Sequence, residues 1–254
     1  KRFGIPQAET LEETLRLAVA LVGRGALRTG GERYVPLQIW NTPSFQSWYA
    51  DLKTAGNRLD KARVEWVHRF APDYDEIFYW AMLVDIYITS EDRHKRNEPV
   101  VSRPDTSNTV LFSPKDNPLD TEIVLVREFR SPVSNRDGYV WELPGGSSFT
   151  EENPFERAVK EVAEETGLDI AYERFKPVEA RQITATMSTH RAFLFAVELS
   201  NEEIAWLREQ EGKAFGDEEA TERTFVEVKT IREVLQDLPL DWANLGMIIS
   251  SFKI

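Results

Sequence analysis

The sequence predicts an α/β (α+β) protein in which a mixed β-sheet lies between helices, behind a helical N-terminal extension. Three observations point this way. Apolar residues recur with helical spacing before Pro72 and in strand-like runs after it. Strands and helices then follow one another without the strict alternation of a doubly wound parallel sheet. A strongly punctuated helix over residues 154–166 sits among them, with Asn153 as cap, Pro154 in the first position and Gly167 as the stop. The change of character places an extension over residues 1–74 and the main domain over 75–254.

In chain order, Thr10 and Glu13 form a capping box. Leu11, Leu15, Ala18, Val19 and Val22 then make one apolar stripe that ends at Gly23 and Gly25. A second helix is expected over residues 44–70, carrying Phe45, Trp48, Tyr49, Leu52, Leu59, Ala62, Val64, Trp66 and Val67, with the basic residues of 58–68 as its solvated face. Strands are expected over 77–89, 109–113, 122–129 and 139–143, the last running into the Pro144-Gly145-Gly146 turn. After the 154–166 helix come strands over 175–183 and 191–199, a helix over 201–209 and a strand over 223–228. Two short helices, 231–235 and 241–252, end the chain.

Composition narrows the function. The 254 residues include 43 acidic and 31 basic side chains, a formal charge of −12 that repels bare polyanions, so nucleic acid is not expected as the main partner. With no cysteine there is no disulfide, thiolate metal site or thiol nucleophile, as suits a cytoplasmic protein. No apolar run is long enough to span a membrane, and a soluble protein with no membrane partner is expected. The chain starts at Lys1 rather than Met, which suggests a trimmed chain. The Gly23-Arg24-Gly25 segment lacks the lysine ending of a phosphate-binding P-loop, and no G-x-S-x-G marks a serine hydrolase.

The chemistry concentrates around the punctuated helix. Glu161, Glu164 and Glu165 fall within one turn, and carboxylates so close repel unless a hard divalent cation sits among them. Phe155, Val159, Val162 and Ala163 are expected to face the core, with Arg157 and the three glutamates on the other side. Gly145 and Gly146 let backbone approach closely, leaving room for a main-chain ligand and a diphosphate.

These residues resemble the Nudix hydrolase box, G-x5-E-x7-R-E-U-x-E-E-x-G-U with U aliphatic. Its positions fall on Gly146, Glu152, Lys160, Glu161, Val162, Glu164, Glu165, Gly167 and Leu168, and only the arginine is replaced, by Lys160. The resemblance implies a Nudix fold and hydrolysis of a nucleoside diphosphate linked to another group, with Mg²⁺ or Mn²⁺ as cofactor. It also implies Glu161 and Glu165 as principal metal ligands, with Glu164, Glu152 and the Gly145 carbonyl close by. Lysine keeps the charge of the missing arginine but not its bidentate fork. Arg157, one turn before Glu161, is a candidate to compensate, although an exposed i,i+4 pair is the simpler expectation.

The flanking segments Val126-Arg127-Glu128-Phe129-Arg130, Trp141-Glu142-Leu143-Pro144-Gly145-Gly146 and Val100-Val101-Ser102-Arg103-Pro104-Asp105 resemble the ADP-ribose and nucleotide-sugar pyrophosphatase branch. That resemblance implies a homodimer and a small-molecule nucleoside diphosphate derivative as substrate. Arg103, Arg130, Glu142 and His190 are its candidate contacts. A catalytic base is expected from the acidic segment before the strand at Phe225, with Glu219 and Glu222 as candidates and His190 as another if its pKa lies near neutrality. The leading expectation is therefore a metal-dependent pyrophosphohydrolase acting on ADP-ribose or a related nucleoside diphosphate sugar. The alternatives are a catalytically weakened module that binds nucleotide sugars in a regulatory or scaffold role, and an enzyme of the same fold acting on nucleoside triphosphates or dinucleoside polyphosphates.

Overall fold

A computed structural model describes residues 28–69, 77–147, 153–216, 223–236 and 238–252, and its contacts divide the chain into two units, Lys1–Val100 and Val101–Ile254. The helix expected over residues 10–22 lies outside the described residues. No described helix is long and apolar enough to cross a membrane.

In the first unit a 3-10 turn, Gly30–Tyr34, leads into α1 (Leu37–Trp40) and α2 (Pro43–Thr54). Thr42 caps α2 by accepting the Phe45 N–H at 3.2 Å. Strands β1 (Arg58–Arg69), β2 (Ile77–Ile88) and β3 (Arg93–Ser102) form a sheet in the order β1-β2-β3, with β1 and β2 antiparallel. Ile39, Phe45 and Tyr49 pack with Leu59, Trp80, Met82 and Val84 of the sheet as one core.

The helix expected over residues 44–70 is thus corrected. It ends at Thr54, the chain turns at Gly56 with φ of 74°, and the rest is strand. The register of β1 against β2 slips between Leu59 and Lys61, between Val64 and Trp66, and between His68 and Arg69. The first two slips put an extra residue in β1, Asp60 and Glu65, and so break its period of two; the third puts the extra residue, Phe78, in β2. The inward positions Leu59, Ala62, Val64 and Val67 are therefore spaced by three, two and three, which imitates a helical stripe. The basic face is a strand face, with Arg58 paired to Asp60 and Arg63 to Glu65, each at 2.6 Å. Strand β3 is polar along most of its length and contains Pro99, so its composition gives little strand signal.

The second unit begins with β4 (Thr106–Ser113), β5 (Glu122–Phe129), β6 (Tyr139–Glu142), β7 (Gly145–Ser147) and α3 (Pro154–Thr166). It continues through β8 (Lys176–Gln182), β9 (Arg191–Glu198), α4 (Asn201–Gln210), β10 (Ala214–Phe215), β11 (Thr224–Thr230), α5 (Ile231–Gln236) and α6 (Trp242–Ser251). These eight strands form one sheet in the order β10-β11-β5-β4-β9-β8, with β6 beside β5 and β7 beside β4. Only the β4–β9 pairing is parallel among the registers described, so the sheet is mixed as expected. The strands and helices expected after residue 121 all form, with ends moved by a residue or two.

Helices cover both faces. Ala158 and Val162 of α3, with Ile204 and Leu207 of α4, pack on Leu111, Val124, Phe195, Val197 and Val226. On the opposite face Ile231, Val234 and Ile248 pack on Val110, Ile123, Leu125 and Leu194. Strand β4 is shared between partners. Its first residues, Thr106 to Asn108, pair with β7, and its last, Leu111 to Ser113, pair with β5. The divergence brings the β7 glycines to the edge of α3.

Gly167 closes α3 with φ of 71°, and a Cβ there would meet the Phe215 ring at 2.5 Å. Gly167→Ala is expected to lower unfolding free energy by about 1–3 kcal/mol, through backbone strain and overpacking together. A urea denaturation midpoint and slope equal to those of the parent protein would contradict this.

Candidate active site

Helix α3 is fixed at both ends. Asn153 Oδ1 accepts the Phe155 N–H at 3.0 Å, and Ser107 of β4 donates its hydroxyl to the Pro154 carbonyl at 2.7 Å. At the far end the Gly167 N–H bonds the Ala163 carbonyl at 3.0 Å. The Gly216 N–H donates to the Glu164 carbonyl at 3.1 Å, and the Thr224 hydroxyl to the Glu165 carbonyl at 3.3 Å.

This anchoring sets which face is inward, and it differs from the sequence expectation. Ala158, Glu161, Val162, Glu165 and Thr166 are the buried residues of α3, while Ala163 is exposed. Glu161 and Glu165 are 6% and 8% exposed, so they point into the protein rather than to solvent. Glu164 points away from them and pairs with Lys160 at 3.5 Å on the open side of the helix. The central stripe 158, 162 and 166 sits over the sheet. The neighbouring stripe 157, 161 and 165 therefore lies against the edge formed by β7.

At that edge the backbone meets the carboxylates directly. The Gly145 N–H donates to Glu165 Oε2 at 2.9 Å. A Cβ at Gly146 would fall 1.9 Å from Glu161 Oε1, and one at Gly145 would fall 2.3 Å from the Ser107 carbonyl oxygen. Glycine is therefore required at both positions by close approach. Arg157 pairs with Glu161 across one turn, and both side chains are largely buried, not exposed as the simpler reading expects.

Beside the pair, Arg130 Nη2 lies 2.8 Å from Glu128 Oε2 and 2.8 Å from Glu142 Oε2, and its Nε–H donates to Glu142 Oε2 at 2.9 Å. Glu128 is buried and lies outside the Nudix box pattern. One signal marks it. Counting by twos along β5 from Val124, which packs in the α3 core, the same face carries buried Val126 and then a carboxylate. Burial, then the charge of Glu161, pushes the Glu165 carboxyl well above the usual carboxylate range. The Gly145 N–H opposes the shift, Glu128 adds to it and Arg130 opposes it.

Arg103 and His190 belong to a second group. Arg103 donates to the Ser147 hydroxyl just after the two glycines. His190 Nδ1 lies 2.6 Å from the Ser188 hydroxyl. Burial and the Arg103 charge hold His190 down at about 4, so at neutral pH it is an uncharged hydrogen-bonding group. The near-neutral pKa expected of a histidine base is not found.

The candidates therefore separate. Glu161, Glu165 and Gly145 come together, with Arg130 and Glu142 beside them through Glu128. Arg103 and His190 form a neighbouring group, and Glu164 is turned outward. Glu152, Glu219 and Glu222 lie outside the described residues. Among the described residues no three acidic or histidine side chains converge closely enough to hold a metal by themselves. The donor chemistry nonetheless suits a hard divalent cation. Two buried carboxylates share one edge, and the charged form of one is disfavoured by the other. A cavity of about 190 Å³ lies elsewhere, between β8, β9 and α6, lined by Ile183, Leu194, Trp242 and Met247; no glutamate of α3 lines it.

The NUDIX domain profile matches residues 103–241. The chain belongs to this family, and the region is a Nudix hydrolase domain, a class whose members generally use divalent metals and take nucleotide-type small molecules. Among solved structures the chain is similar to one described as "Crystal structure of ADP compounds hydrolase". The two are 14% identical with a TM-score of 0.47, over 77% of this chain and 95% of that one. No curated protein is similar enough in sequence to match.

The raised Glu165 pKa has a thermodynamic consequence. The folded protein holds that proton more tightly than the unfolded chain, so Glu165 favours folding below the ordinary glutamate range, and the benefit is lost as pH rises through the raised value. Glu165→Gln removes this dependence. In chelator at about pH 7.5 the variant is expected to melt about 2–4 °C above the parent, as roughly 1 kcal/mol produces in a chain of this size, with the gap closing near about pH 4. A thermal melt showing no gap at either pH would refute the assignment. For His190, an imidazole NMR titration is expected to show a midpoint near 4 that moves toward 6.5 in Arg103→Ala. A midpoint near 6.5 in the parent protein would exclude the Arg103 effect.

Proposed function

We propose that this protein is a divalent-metal-dependent pyrophosphohydrolase that cleaves the diphosphate of ADP-ribose or a related nucleoside diphosphate sugar. The observation that carries the reading is the buried pair Glu161 and Glu165, held on one edge of α3 against the backbone of Gly145 and Gly146. In this reading the two carboxylates hold Mg²⁺ or Mn²⁺, with Glu152 as a further ligand. A cation held there would supply positive charge to neutralise the diphosphate and to lower the pKa of a water. Gly145 orients Glu165 through its N–H. Arg103, placed by Ser147 beside the glycine loop, supplies positive charge for a phosphate oxygen, and neutral His190 supplies a hydrogen bond. Arg130 is engaged by Glu128 and Glu142 and serves to set the acidic edge, with its 40% exposed side chain open to substrate. Glu219 and Glu222 remain the candidates for taking the proton of the attacking water.

The preference for nucleoside diphosphate sugars rests on the flanking segments around Arg103, Arg130 and Glu142. A panel of ADP-ribose, other nucleotide sugars, dinucleoside polyphosphates and nucleoside triphosphates, assayed with Mg²⁺ and Mn²⁺ and read by mass spectrometry, tests it. Nucleoside monophosphate and sugar phosphate are expected as products. Glu165→Gln is expected to lose at least about 100-fold in kcat while staying folded. Turnover of triphosphates alone would redirect the substrate class, and turnover of nothing by the intact chain would defeat the reading.

A further inference from the structure

Two basic residues of α3 lie one turn before a glutamate, and the structure uses them differently. Arg157, Glu161 and Glu165 follow one another at intervals of four along the buried edge of the helix, whereas Lys160 and Glu164 occupy the adjacent open stripe. The side-chain exposures separate the pairs: 16% and 8% for Arg157 and Glu161, against 53% and 41% for Lys160 and Glu164. We infer that Arg157 is the positioning residue that fixes the Glu161 carboxylate, and that Lys160 has no part in holding the acidic pair. The inference rests on the proposed metal reading and deepens it.

The geometry is restrictive. The Glu161 carboxylate is confined on one side by Gly146, where no Cβ fits, and on another by the Arg157 guanidinium. Buried between Glu165 and the β7 backbone, the Glu161 carboxylate gains from a partner that fixes its orientation. A planar cation with several donors can serve as that partner. Guanidinium is also more weakly hydrated than an ammonium group, so it tolerates the depth at which Arg157 sits. Lys160 instead pairs with Glu164 on the exposed stripe. The lysine at that position therefore leaves the acidic edge intact, because the fork is supplied three residues earlier.

Positioning is distinguishable from competition. A guanidinium that merely occupied Glu161 would oppose a cation there, and its removal would tighten metal binding. A guanidinium that orients Glu161 would weaken metal binding when removed. Mn²⁺ binding followed by electron paramagnetic resonance on the intact chain, without substrate, reads the difference, with thermal melting as the control for folding. Arg157→Ala is expected to bind Mn²⁺ about 10- to 100-fold more weakly than the parent, the range for residues that orient a metal ligand. Arg157→Lys is expected to fall between, as partial rescue, and it carries the test should the alanine variant not fold. Lys160→Ala is expected to bind as the parent does. Equal or tighter binding in the Arg157 variants, or a loss in Lys160→Ala matching that in Arg157→Ala, would overturn the inference while leaving the metal reading in place. Failure of the parent to bind Mn²⁺ would overturn both.

Discussion

Two carboxylates one helical turn apart press against a stretch of backbone that has no side chains, and much of the second unit is arranged to permit that approach. The Gly145 N–H reaches Glu165 at 2.9 Å, and Gly146 leaves no room for even a methyl group beside Glu161. Such proximity requires β7 to be held in register, which its pairing with Thr106 to Asn108 of β4 accomplishes. It also requires α3 to be seated on the sheet, which Ala158 and Val162 accomplish by packing against Leu111, Val124 and Phe195. The apolar stripe thus decides where the acidic stripe falls. A rotation of α3 of about 100°, one residue's worth, would turn Glu161 to solvent.

The same approach creates tension between folding and chemistry. A buried carboxylate near a second one favours its protonated form, and only part of that strain is met by the Gly145 N–H and by Arg130. Arg157 balances one charge of the pair, and Glu128 adds a third negative group held by Arg130. Among the described residues the site therefore gathers more acidic than basic side chains. Function at such a place draws on stability supplied by the two apolar layers on either side of the sheet.

Much of this architecture was legible in the sequence because it obeys local rules. Asn153, Pro154 and Gly167 bracket α3 to the residue, and the strands expected over 122–129 and 191–199 form as β5 and β9. What escaped did so for identifiable reasons. In β1 two bulges, at Asp60 and Glu65, disguise a strand as a helix, since a bulge changes the very period from which the element type is read. Strand β3 lacks the apolar composition that announces strands. Spacing brought Glu161 and Glu165 together, but it could not say that their stripe faces inward, because that depends on the tertiary seat of the helix. The buried status of Arg157 was hidden for the same reason, whereas Glu128 is marked by its alternation with Val124 and Val126 along β5. The Arg103 effect on His190 arises between residues 87 positions apart and has no local signature.

The parallel pairing of β4 with β9 joins residues far apart in the chain; the Arg191 N–H, for instance, bonds Asp105 across 86 positions. Closing a loop of that size is entropically expensive and slow relative to forming hairpins such as β5–β6. The seat of α3 includes Phe195 and Val197 of β9, so it is incomplete until that closure has occurred. The spacing of Glu161 and Glu165 along the helix is local, but the burial that sharpens their repulsion is tied to a closure between distant segments of the chain.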